Sequence, residues 1–452
     1  MSSASSTSED ETEDGGARGA ESSSRRRGSS SASTRRRANG VWPEPFLESL
    51  AVRVATDAAR SGGRLAAGYA LANIFQVCSQ WRAISGSELL WQALHRRIWG
   101  MSRRSHATWH DDYVYRHRTA LNFHIGRATY TPLELAGNTD GANRRNTCLR
   151  VALSDAYLAC GFLDGSVRVF DMGSNHWVSR FRPTNPDRLG PFSHSISGIV
   201  LRGNNVIFAS LDGNVCVGMI PGRNSRLAHV GSVYDDGLLI DFAGCSRWWI
   251  GLFSGAPGRA FHIWNGVTEE ISFIGGGLTD PEAVLGWQLL TEPQPNHRLG
   301  RVRVADEHLA VAVTASKAVV LDLQHGGFVL SEEEPEEGIV VDSLDVQGDR
   351  CLMVYANGVA KVAKVRGMEE VCSFYLGDID VAQVKILCSL NSGYAFTSID
   401  GTISVWDAEA GEFLYDLEFG IDDGTDLVAD DEHVAGCSAS TGVHLWDFRA
   451  LF

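Results

Sequence analysis

From about residue 150 onward, apolar and polar positions alternate with a period of two, in short runs separated by turn signals. The stretch 393–407, GYAFTSIDGTISVWD, holds two such runs joined at Asp400-Gly401. Asp-Gly between alternating hydrophobics predicts a β-hairpin, because the tight turn needs positive φ and glycine supplies it without steric cost. The same pattern recurs as YLACGFLDGSVRVFD at 157–171 and VAGCSASTGVHLWD at 434–447, and in drifted form from Ile207, Trp248, Leu309 and Leu352. Seven turns are anchored at Gly165, Gly213, Arg259, Ser316, Gly358, Gly401 and Thr441, spaced 40–57 residues apart. The positions two and four past each anchor are apolar in all seven copies, as a strand with one buried face requires. Repeats of this length predict four-stranded blades arranged in a ring, a β-propeller. The first repeat is complete, with strands around Leu149, Leu158, Val167 and Val178, whereas the last ends after Trp446-Asp447 without its fourth strand. An unpaired edge would leave backbone groups open, so residues within 123–135 are expected to supply the missing strand and lock the ring.

Ahead of the repeats the period changes to three and four. Phe46, Leu47, Leu50, Val54 and Ala58 follow Pro43 and Pro45 and predict an amphipathic helix. Ser61-Gly62-Gly63 interrupts it. A second run from Arg64 carries Leu65, Leu71, Ile74, Phe75 and Cys78, and a third from Glu88 carries Leu89, Leu90, Trp91, Leu94 and Ile98. Helices this apolar must meet a partner or the following domain. After Trp109 a further helix of mixed polarity is expected as a spacer. Residues 1–40 hold Ser, Gly, Ala and mixed charge with no apolar run, and are expected to be a disordered tail. Two basic triplets in it, Arg25-Arg26-Arg27 and Arg35-Arg36-Arg37, fit a bipartite nuclear-import signal. The expected organisation is therefore a tail (1–40), a small all-α domain (41–100), a helical linker (101–122) and an all-β seven-bladed propeller (123–452).

Composition narrows the function. The chain of 452 residues is 44% hydrophobic and 21% charged, with a formal net charge of −15 that argues against direct nucleic-acid binding. Nine scattered cysteines without a CxxC pair are expected to be reduced thiols in an intracellular setting rather than disulfides or zinc ligands. No apolar run approaches the roughly 18 residues of a membrane helix. Enzyme signatures fail in turn: GxSxG, HExxH and GxxxxGK are all missing. The aspartates at Asp164, Asp212 and Asp400 are turn formers, and neither a catalytic residue nor a cofactor nor a metal is expected.

WPEPFLESL, NIFQVCSQWRAIS and ELLWQAL resemble the F-box, a helical module that docks a cullin-type ubiquitin ligase through a Skp-type adaptor. The resemblance assigns adaptor contacts to Trp42, Pro43, Phe46, Leu47, Leu50, Val77, Cys78, Trp81, Leu90 and Trp91. Trp406-Asp407 and Trp446-Asp447 make the repeats similar to the WD-repeat family, although its Gly-His dipeptide is nearly missing, and with it the expected buried Asp-His-Ser/Thr-Trp network. WPEPFLESLAVRVA, LANIFQVCSQW, YRHRTALNF, GCSRWWIGLFSGAPGRAFHIW and LTDPEAVLGW extend the likeness, from about residue 40 onward, to a plant family joining F-box and propeller. That resemblance implies a non-catalytic substrate receptor. It would bind an adaptor of the ASK family, and through it cullin, and would deliver transcriptional regulators for degradation in the nucleus, controlling flower and organ development and cell proliferation. A scaffold without a ligase link and a transcriptional co-regulator are the alternatives. In WD-repeat propellers the interblade links and the turns between second and third strands share a rim that holds peptides. Two enlarged links nominate Arg188, Phe192 and His194, and Asp280, Glu282, Trp287 and His297, with Arg259 at the third turn, as the substrate face.

Overall fold

The computed structural model describes residues 42–133, 147–183, 189–278, 289–291, 298–305, 308–380, 384–439 and 442–450. Helix α1 (Glu44–Phe75) opens behind Pro43, with Pro45 in its first turn and Glu44 facing the helix dipole. The backbone leaves helical geometry at Gly62 and at Gly63, whose φ of 76° is accessible to glycine at little cost, so the break falls where the sequence places it. Both halves bury one stripe, Leu47, Ala51, Val52 and Ala55 before the break and Ala67, Leu71 and Ile74 after it. A short helix α2 (Ser79–Ala83) leads to α3 (Glu88–Ile98), which Ser87 caps by accepting the Leu90 amide, and these pack with Trp91, Leu94 and Tyr113 into one cluster.

Helix α4 (Trp109–Ile125) is more than a spacer. Thr108 caps it by accepting the Asp111 amide, and Gly126 ends it in the left-handed conformation. Its first half contributes Tyr113 to the helical cluster and the wholly buried Asp112, which takes His106 at 2.8 Å, Arg116 at 3.5 Å and His95. Its last turn puts Phe123 into the core of the ring, stacked 3.9 Å from Phe448, while the Tyr394 hydroxyl donates to the Ala120 carbonyl at 2.8 Å.

The repeats form seven four-stranded antiparallel sheets, the propeller expected from their period. Blades one to six run in chain order from Cys148–Phe181, Ile196–His229, Leu238–Gly275, Arg301–Glu333, Asp345–Tyr375 and Ile386–Asp416. Blade seven combines Gly424–Ala429, His433–Ser438 and Gly442–Asp447 with the strand Thr129–Leu133, which pairs Tyr130 with Trp446 and Leu133 with Val443. The N-terminal segment thus closes the ring, as the missing fourth strand demanded.

The innermost strands crowd together around the axis. At Gly198 a Cβ would lie 1.9 Å from the Phe242 carbonyl of the next blade, so no larger residue fits. Three aspartates on these strands each accept an amide of the next blade's innermost strand. Asp241 accepts from Val302 (2.8 Å), Asp345 from Leu390 (2.8 Å), and Asp426 from Val151 (3.1 Å), the last bond spanning the closure. The hydrogen-bond network expected to be lost survives in pieces. In blade two, His194 lies 3.3 Å from Asp212, which also takes the Ser210 hydroxyl at 2.6 Å, and in blade six the Trp406 indole donates to Thr397 at 3.0 Å. Of the nine free cysteines six are buried, two are half-buried and Cys78 is exposed.

Candidate functional site: two opposed interaction faces

Strand direction places the two candidate surfaces on opposite faces of the ring. Thr129 pairs with Asp447, at the end of blade seven's third strand, so α4 enters the ring on the face of the first-to-second and third-to-fourth turns. Tyr394, Asn391 and Glu432, on that face, meet the helical module across a cleft. The interblade links and the turns at Gly165, Gly213 and Gly401 lie on the other face.

In the helical module the nominated adaptor residues divide by exposure. Leu47, Leu90 and Trp91 are buried in the module's own core, and Leu50 and Trp81 are half-buried. Trp42, Pro43, Phe46, Val77 and Cys78 are exposed. The Trp42 and Phe46 rings stack 5.1 Å apart at 18°, and the Gln80 side-chain amide donates to the Trp42 carbonyl at 2.7 Å, which brings the start of α1 beside the turn holding Val77 and Cys78. With Trp42 at 54%, Phe46 at 47% and Val77 at 65% exposure, this is an unpartnered apolar surface. Leu89 is 69% exposed, beside the buried Leu90. The spacing held the signal, since Leu90, Trp91, Leu94 and Ile98 form one stripe and Leu89 falls outside it.

On the opposite rim Phe192 and His194 are half-buried, and Arg259 pairs with Asp236 at 2.6 Å. Arg188, Asp280, Glu282, Trp287 and His297 lie outside the described residues, as do Arg25, Arg26, Arg27, Arg35, Arg36 and Arg37. The described parts of the two enlarged links touch, the Phe192 amide donating to the Leu290 carbonyl at 3.3 Å. At the end of the second link the Arg298 side chain spans the channel. Arg298, which carried no recognisable sequence signal, reaches Asp342 at 2.6 Å and the Thr425 carbonyl of blade seven at 2.8 Å.

Beneath this crossing lies a buried ionic network of Arg150, Arg298, Arg301 and Arg303 with Asp241, Asp342 and Asp426. Burial opposes the Asp426 charge, but Arg298 and Arg301 outweigh it and hold the carboxyl well below its usual range. Arg298 is held above its ordinary value despite burial, by Asp342 and Asp426. Arg301, wholly buried and beside Arg303 and Arg298, is pushed down to about 10. With cations and carboxylates so nearly balanced, the network ties blades together. Among the described residues no cluster of three or more His, Cys, Asp or Glu could hold a metal, and no helix is long and apolar enough to cross a membrane.

Seven blades, WD-type hairpins and a helical module on one face define a WD-type β-propeller protein with an N-terminal helical extension. No family model matches the chain. It is 44% identical over 420 residues, 92% of this chain and 93% of the relative, to the transcriptional regulator STERILE APETALA of Arabidopsis thaliana, and it belongs to the STERILE APETALA family. Among solved structures it resembles the Cps50 (Swd1) β-propeller domain of Myceliophteria thermophila, with a TM-score of 0.51 at 11% identity over 71% of this chain and 99% of that one, a likeness of fold. The computationally designed Ika8 protein also matches, with a TM-score of 0.44 at 15% identity over 67% of this chain and 96% of that one.

Proposed function

We propose that this protein is the substrate receptor of a cullin-RING ubiquitin ligase of SCF type. The helical module grips a Skp-type adaptor, the opposite rim grips a transcriptional regulator, and the chain supplies no catalytic residue. Its work is proximity, since holding target lysines near a ubiquitin-charged enzyme raises their effective concentration. The observation that carries this reading is the exposed surface of Trp42, Phe46 and Val77 in a module that otherwise buries its apolar stripe. The naming of the Arabidopsis relative as a transcriptional regulator supports a nuclear setting, as do the two arginine triplets, and turnover of such regulators would control flower and organ development.

The test is affinity of the full chain for a purified Skp-type adaptor. Phe46→Asp with Val77→Asp should weaken it at least about tenfold, or about 1.4 kcal/mol, with the melting temperature unchanged because both side chains are exposed. Equal affinity of wild type and variant, or no binding by either, would overturn the ligase reading in favour of a scaffold or transcriptional co-regulator.

A further inference from the structure

The cleft between the helical module and blades six and seven is a cavity of about 300 Å³. That is the low end of the range for small-molecule sites, which favour boundaries between structural units. The break in α1 at Gly62–Gly63 lies at its wall and delivers Arg64 to it, with the Arg64 guanidinium 5.7 Å from the centre of the Trp99 ring. Tyr394 lines it from the propeller side.

The polar groups around the cavity are unequally satisfied. Asp431 accepts the Ser392 amide and hydroxyl at 3.1 and 2.8 Å, Glu409 accepts from Arg350 at 3.1 Å, and Asp407 accepts the amides of Glu409 and Ala410. Glu432 is engaged by the Tyr115 hydroxyl. Arg64 has neither a hydrogen bond nor an ion pair within 4.0 Å among the described residues, and burial holds it below its ordinary value against the opposing pull of Asp431 and Glu409. Its donors are therefore open, in a cavity also lined by the carboxylates of Asp407, Glu409, Asp431 and Glu432. An acceptor atom would satisfy those donors, whereas a second anion would be repelled by the surrounding carboxylates.

We propose that this cleft binds a small, neutral, planar organic molecule whose ring lies between Trp99 and Tyr394 and whose carbonyl or hydroxyl oxygen accepts from Arg64. A ligand there would wedge the helical module against the propeller. The site is separate from both faces assigned above and does not depend on the ligase reading.

Three matched probes test it on the full chain by ligand-observed saturation-transfer titration: 2-acetylnaphthalene, which offers a neutral acceptor, 2-naphthoate, which is anionic, and 2-ethylnaphthalene, which has no acceptor. The ketone should bind at least tenfold tighter than the other two. Gly393→Phe should abolish this binding, because a Cβ at that lining position meets nothing within 4 Å and its ring would enter the cavity. Arg64→Leu should erase the preference for ketone over ethyl while leaving the melting temperature within a few degrees. Ketone binding that persists in Gly393→Phe, a preference that persists in Arg64→Leu, tighter naphthoate than ketone, or no binding of the ketone at about 1 mM would each overturn the proposal.

Discussion

At the scale of single residues, the interior of the ring holds charge and histidine under tension with burial. His262 is wholly buried, stacked 4.0 Å from Phe253 and tilted against Trp264 at 5.8 Å, with its Nε2 atom 3.7 Å from Asp236. Burial pushes it down to about 4, against the opposing pull of Asp236 and with the neighbouring Arg259 and His229 adding to the fall. Unfolded, the ring titrates near its ordinary value of about 6.5, so between the two values the unfolded state binds more protons. Stability is then complete above about pH 6.5 and is lost as pH falls towards 4, by at most about 3 kcal/mol. His229 is shifted the same way by burial and adds to the slope. The melting temperature should fall from pH 7.5 to pH 5, and His262→Phe should flatten part of that fall; an equally steep profile in the variant would reject this assignment. The channel network makes a second prediction. Asp426→Asn leaves Arg298 and Arg301 short of a countercharge and should cost about 3–5 kcal/mol in urea unfolding. Adding Arg298→Met should recover part of the loss, because it removes one uncompensated cation.

Single elements decide whether the ring closes. Thr129–Leu133 covers the open edge of blade seven, with Leu133 buried beside Val443 and Leu445. Deleting 129–133 should lower the melting temperature by more than about 10 °C and promote association through the bared strand Gly442–Asp447; an unchanged melting profile would show that the edge tolerates exposure. This strand was legible in advance because counting strands per repeat exposed a deficit that only the preceding segment could fill. The glycine break in α1 was legible too, since two consecutive glycines interrupt a period of three to four. The interaction faces were harder to read. Leu47, Leu90 and Trp91 are as apolar as Phe46 and Val77, and only packing separates those that fill the module's own core from those left bare. Arg298 was invisible because its partners, Asp342 and Thr425, are distant in sequence and meet it only across the closed channel. The surviving fragment of the hydrogen-bond network in blade two has no sequence sign, because Ser193 stands before His194 in place of the glycine that usually announces it.

At the scale of the whole molecule, α4 belongs to two cores at once. Tyr113 sits in the helical cluster with Leu47, Leu71 and Trp91, whereas Phe123, three turns on, sits among Phe396, Trp446 and Phe448 in the ring. The chain then continues as the strand that closes blade seven, so helix and ring closure share one continuous segment. Unfolding the helical module would withdraw order from α4 and, through it, from the closing strand. The two parts should therefore melt together in calorimetry. Phe123→Ala should cost about 3–5 kcal/mol through the cavity it leaves, and it removes the link between the cores. Its scan should separate into two transitions, the first reported by Trp91 and Trp99 fluorescence and the second by loss of strand signal in circular dichroism. Two separated transitions in the wild type would show that α4 transmits no stability, and the propeller would then be a platform on which the helical module merely rests.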